Sequence, residues 1–159
     1  MENFKTVISN NAQETVSPND FINHYRWYEA VVGGSNFILR GRSALEYLGY
    51  FSGYGNFNVI EVYALEAPFY SNIRYFLKED FSSIEHFEKN GVLCSTLNQA
   101  VNDILGNIHL EDEQPLVEAL SYYYYKNNSS FAGLNISRDK RPQFEALKQW
   151  AIEYYDEVN

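Results

Sequence analysis

The run LNQAVNDIL, residues 97–105, constrains the fold of this chain more than any other stretch. Leu97, Ala100, Val101, Ile104 and Leu105 recur at i, i+3, i+4, i+7 and i+8, which aligns them along one face of an α-helix. A stripe of this kind is stable only with something apolar packed against it. Just ahead, Thr96 and Gln99 have the spacing of a capping box, which places the helix start there. The same period returns in Leu116, Ala119, Leu120, Tyr123 and Tyr124. It appears once more in Phe144, Leu147, Ala151 and Tyr154, behind Pro142, which suits a first helical turn.

Upstream, VIEVYAL at 59–65 reads as a strand, because β-branched and aromatic residues dominate it behind a glycine-rich turn. Further short extended pieces are predicted at 37–39, 73–77, 84–87 and 91–94. Two helices come earlier. In the first, Ser17 suits the cap, Pro18 the first helical position and Asp20 the positive end of the dipole. Phe21, Tyr25, Tyr28 and Val32 then share a face until Gly33 and Gly34 end the helix. The second begins near residues 41–43 and buries Ala44, Leu45, Leu48 and Phe51. This order predicts an α+β fold, a single domain in which a small, mostly antiparallel sheet packs with about five helices. Residues 1–16 are polar and weakly patterned and read as an N-terminal arm, with the domain at 17–159. No fixed-period repeat appears, and the loops at 52–57 and 127–141 are too short to divide the chain.

Charge narrows the function classes. Twelve Lys and Arg against 21 Asp and Glu give a formal charge of -9, which opposes general attraction to nucleic-acid phosphates or anionic membrane and favours a basic partner. Between Lys89 and Lys126 there is no Lys or Arg, whereas Asp103, Glu111, Asp112, Glu113 and Glu118 all fall there. That stretch is predicted to present a negative surface. Cys94 is the only cysteine, so neither an internal disulfide nor a cysteine-based metal site is expected. With no apolar run of signal-peptide or membrane-span length, the expected setting is the cytoplasm.

The sequence holds no recognisable catalytic constellation. His24, His86 and His109 lie apart, outside any zinc-like spacing, and are read as surface or structural residues. Cys94 is read as a small buried apolar residue at a strand end. The stretch GGSNF, residues 33–37, has the look of a nucleotidyltransferase opening, but the following strand offers Glu61 and then Tyr63 where a second carboxylate is needed. A helix C-terminal turn explains it better. No catalytic residue, cofactor or metal is implied.

Two stretches are candidate contact sites. Arg40 and Arg42 flank Gly41 at a predicted helix start, where the dipole opposes them unless an anion or carboxylate sits between them. They fit either a partner's carboxylate or phosphate, or this domain's own acidic residues, and the second reading is preferred because such pairs are common. Four tyrosines at 122–125 cannot form one flat platform on a helix, since successive residues turn by about 100°. Tyr122 and Tyr125 fall at the edges of the buried stripe, where boundary packing is preferred over a protein interface.

Taken together, LRGRSALEYLGY at 39–50, a strand, and VLCSTLNQAVNDIL at 92–105 resemble the antitoxin domain of the AbiEi family of type IV toxin-antitoxin systems. Ser43, Ala44, Leu45 and Gly49 match its first block, and Thr96, Val101, Asp103, Ile104 and Leu105 its second, within a block of about 36–125. Gln99 and Ala100 stand where the family often has Arg and Thr. About 35 residues precede the block, where family members usually carry a promoter-binding winged helix, so promoter binding is expected to be absent or delegated. The resemblance implies a non-catalytic protein that neutralises a nucleotidyltransferase-like toxin. Candidate partner-binding residues are Arg40, Arg42, Glu111, Asp112, Glu113, Glu118, Tyr122 and Tyr125. The alternative is an acidic phage or mobile-element inhibitor that occupies a nucleic-acid-binding groove of a host or defence protein. An undiscovered enzyme ranks last.

Overall fold

The computed structural model describes residues 17–52, 59–67, 70, 72–108 and 112–158. The predicted arm at 1–16, together with His109 and Glu111, lies outside the described residues. Five α-helices are present among them: α1 (His24–Val32), α2 (Gly41–Tyr47), α3 (Leu97–Gly106), α4 (Gln114–Lys126) and α5 (Arg141–Val158). Five strands, β1 (Ile38–Leu39), β2 (Ile60–Ala64), β3 (Ile73–Leu77), β4 (His86–Lys89) and β5 (Val92–Ser95), form one sheet in the order β3-β2-β1-β5-β4. The fold is α+β, as expected, and the main hydrophobic core draws on all five helices.

The sheet is not mostly antiparallel. β1 pairs antiparallel with β2 and β4 with β5, but β1 runs parallel to β5 and β2 parallel to β3. Pattern alone could not reveal this, because strand periodicity is the same in both directions. Parallel pairing of β2 with β3 also defies the usual long crossover, since only residues 65–72 separate them.

The first helix is also shorter than predicted. Ser17 does cap a turn, its side chain accepting from the Asn19 amide, but the turn is a 3-10 segment that ends at Asp20. Phe21 is extended, and the helix proper starts only after Asn23, whose side chain accepts from the Arg26 amide. The late start rotates the buried face to Trp27, Tyr28, Val31 and Val32, and Tyr25 stays exposed. Gly33 caps the end and Gly34 takes φ 72°, as the glycine pair predicted.

Helix α2 is buried on every side, at all positions from Gly41 to Tyr47. It packs against β2, β5, α1, α3 and α4, so its apolar stripe understated its position. The buried face of α3 is Ala100, Val101, Asn102, Ile104 and Leu105, capped by Thr96 as predicted. Helices α4 and α5 pack on each other, and Phe144, Leu147 and Ala151 face inward as expected.

Along β2, alternation gives the sheet two unlike faces. Ile60, Val62 and Ala64 join Leu39, Ile73, Val92 and Cys94 in the main core. On the other face, Tyr63 joins Ile38, Phe76, Phe81, Ile84 and Leu93 in a smaller cluster.

Candidate functional site

Glu61, two residues before Tyr63 and on the same face of β2, is a lone carboxylate in an otherwise apolar strand and is 4% exposed. Unpaired burial of such a charge is costly, so the chain surrounds it with cations. Arg40 Nη1 lies 3.6 Å from Glu61 Oε1, while Arg42 Nη2 and Arg74 Nη1 lie 3.5 and 3.2 Å from Oε2. The three arginines arrive from the end of β1, the first turn of α2 and strand β3. Gly41, at φ 52°, turns the chain between the first two. The Arg40 guanidinium also lies over the Phe76 ring, 3.8 Å from its centroid, and Arg74 lies 4.9 Å from the same centroid. The RGR stretch thus bonds to this domain's own carboxylate. Arg40, at 1% exposure, is not a surface contact, and Arg42 is nearly as buried. The preferred reading of the two arginines, as partners of this domain's own carboxylate, therefore fits the structure, and their alternative role as partner-binding residues does not: compensation of Glu61 holds them inside.

The buried polar system extends from Arg40 to Asp103. Burial pushes the Tyr63 hydroxyl up to about 12, with the neighbouring Asp103 carboxylate adding to the shift and Arg40 opposing it. Burial likewise holds the Asp103 carboxyl above its ordinary range, against the pull of Tyr63, Arg40, Gln99 and Lys140. Gln99 donates to Asp103 Oδ1 at 3.0 Å, whereas Oδ2 is buried without a hydrogen-bond partner among the described residues.

Gln99 and Lys140 also line a polar pocket of about 320 Å³, with Ser83, Glu85, Asn98, Asn102, Asn135 and Ser137. Part of its lining holds the fold together. Asn102 donates to the carbonyls of Asn98 and Asn135 and accepts from the Ser137 amide, and Asn98 Oδ1 accepts from the Asn135 amide. Gln99 Oε1 accepts from the Glu85 amide, and Thr96 Oγ1 donates to Glu85 Oε1.

A second network binds α1 to α2. Glu46, 7% exposed, accepts from the Tyr28 hydroxyl and lies 2.8 Å from His24 Nδ1. Burial, and then the Glu46 charge, raise Tyr28 well above its ordinary value. Ser43 Oγ, fully buried, accepts from the Glu61 amide at 2.8 Å. His24 therefore has a structural partner, as does His86, whose Nδ1 lies 2.7 Å from the Ile84 carbonyl. Cys94 is fully buried, which pushes its thiol up to about 12.

The acidic and tyrosine candidates divide between surface and interior. Asp112 is exposed and accepts from the Gln114 amide at 3.0 Å; Glu113, half-buried, is the cap position of α4. Glu118 instead accepts from the Ser52 amide at 2.7 Å and from the Tyr154 hydroxyl at 3.4 Å, tying α4 to its neighbours. Tyr125 donates to the Ile152 carbonyl and is half-buried against α5. Tyr122 is 42% exposed, edge-on to Tyr50, with the Lys126 ammonium 5.4 Å from its ring. Of the contact candidates within the described residues, Asp112 and Tyr122 are exposed, and Glu113 is half-buried like Glu118 and Tyr125 but, unlike them, is not tied to another element by a hydrogen bond among the described residues.

Sequence reading missed Glu61 as a centre of charge, together with Arg74, Glu46 and the pocket. The signal for Glu61 was present, as the one acid inside VIEVYAL. Among the described residues no group of three or more His, Cys, Asp or Glu is placed to hold a metal ion, and no helix is long and apolar enough to cross a membrane. Comparison with protein-family models finds no match, and comparison with curated proteins finds none either.

Proposed function

We infer that this chain is a non-catalytic, AbiEi-like antitoxin that acts in the cytoplasm by binding and neutralising a nucleotidyltransferase-like toxin. The observation that carries the reading is that the two stretches resembling that family, far apart in sequence, pack on each other: α2, with Ser43, Ala44 and Leu45, lies against α3, with Val101, Ile104 and Leu105. The polar groups of this unit face one another: Arg40, Arg42 and Arg74 surround Glu61, and Gln99 and Tyr63 engage Asp103. Recognition then falls to the outer surface, where Asp112 and Glu113 keep a negative face at the start of α4 and Tyr122 adds an exposed aromatic edge. Charge there speeds association with a basic partner and selects against acidic ones.

Affinity purification of the tagged chain from its native host, followed by depletion of the chain, tests this reading. The expected result is a co-purifying nucleotidyltransferase-like protein that arrests growth once the chain is removed. A nucleic-acid-binding partner that is harmless on depletion replaces the reading with that of an acidic inhibitor, and recovery of nucleic acid alone overturns both. Reversal of Glu111, Asp112 and Glu113 to Lys is expected to weaken the complex; unchanged affinity excludes that face.

A further inference from the structure

The pocket between α3, residues 83–85 and residues 135–140 holds more polar capacity than the fold consumes. Asn102 and Gln99 are committed to internal bonds, as described above. The Lys140 ammonium has no carboxylate within ion-pair distance among the described residues, although Asp103 lies near enough to feel its charge. Asn98 Nδ2, the Ser83 and Ser137 hydroxyls and the second oxygen of Glu85 are likewise uncommitted among the described residues. One cation, one carboxylate and several neutral donors thus converge on a space of about 320 Å³, at the lower end of the range for small-molecule sites.

The chemistry of the lining selects among ligand classes. The lining is mostly polar, so an apolar ligand finds little surface to bury, and a nucleobase finds no aromatic ring to stack on. A simple anion is opposed by the overall charge of -9. A net-neutral molecule bearing both charges avoids that opposition and matches the lining at both ends. We propose that this pocket binds a small zwitterionic amino acid, with its carboxylate on Lys140 and Asn98 and its ammonium on Glu85. The ligand bridges residues 83–85 and 135–140 across the exposed side of α3, and it is independent of the protein partner inferred above.

Side-chain and backbone amide signals in ¹H–¹⁵N spectra of the full chain, titrated separately with L-serine, glycolate and orthophosphate, provide the test. L-serine is expected to give saturable shifts at Asn98, Asn102, Asn135 and Gln99. Lys140→Met keeps the alkyl chain and removes the charge, and is expected to weaken L-serine about tenfold or more, the loss of one charge-assisted hydrogen bond. Glu85→Gln is expected to weaken L-serine more than glycolate, which lacks the ammonium. Absence of saturable shifts with all three probes overturns the proposal, as does L-serine binding unchanged in Lys140→Met. Binding of orthophosphate in preference to L-serine also overturns it, by showing a simple anion site.

Discussion

The guanidinium of Arg40 lies 3.6 Å from the carboxylate of Glu61, and both side chains are almost fully buried. Removing one member of a buried pair leaves the other charge uncompensated, which costs about 3–5 kcal/mol. Glu61→Gln is therefore expected to destabilise the protein by about that amount in urea denaturation. Arg74 contacts the same carboxylate from a half-exposed position, so Arg74→Ala is expected to cost about 1 kcal/mol or less. Equal losses from the two variants would show that burial does not set the energetics of this cluster.

Asp103 makes stability depend on pH with a definite sign. Burial raises its folded pKa above the unfolded value, so the folded state retains a proton that the unfolded chain releases. Its contribution is fully present below the unfolded value, about pH 4, and is lost as pH rises through the folded one. Asp103→Asn does not titrate. Its stability relative to the parent is expected to improve between pH 4 and pH 7, measured by denaturation at each pH; a difference that stays constant would contradict this account.

Asn102 fastens residues 135–137 to α3 through two hydrogen bonds, donating to the Asn135 carbonyl and accepting from the Ser137 amide. In Asn102→Ala the exposed Ser137 residue loses the acceptor of its amide, at a cost of about 0.5–1.5 kcal/mol, the ordinary net worth of a hydrogen bond where water can reach the freed donor. Hydrogen exchange at Ser137 is expected to accelerate while exchange in β2 keeps the protection set by global stability. Unaltered protection at Ser137 would assign the anchoring of this segment to other contacts.

Cys94 is expected to resist iodoacetamide at pH 8 in the native protein and to react readily in denaturant. The thiolate is the nucleophile, and burial both hides the sulfur and pushes its pKa up to about 12. Rapid native-state labelling would mean that β5 opens far more often than its position in the core implies.

Gly41 starts α2 at φ 52°, a region that a β-carbon makes unfavourable by about 1 kcal/mol or more. Gly41→Ala is expected to lower stability by at least that amount in thermal denaturation. A neutral result would mean that the turn between Arg40 and Arg42 readily adopts another conformation.

The sequence by itself determined those features that depend on near neighbours along the chain. The Thr96 cap, the stripe of α3, the glycine end of α1 and the strand at Ile60–Ala64 were all legible, because helix and strand periods and caps are local. Asn23 was the local signal overlooked, and its capping of α1 shifted the helix face. Tertiary structure alone decided the direction of strand pairing, the complete burial of α2 and the fate of its two arginines. β1 meets β5 across more than fifty residues of chain, a pairing that period-two alternation cannot specify. The same assembly carries Arg40, Arg42 and Arg74 to Glu61, because a charge in a low-dielectric interior must find its opposite wherever the chain can bring one.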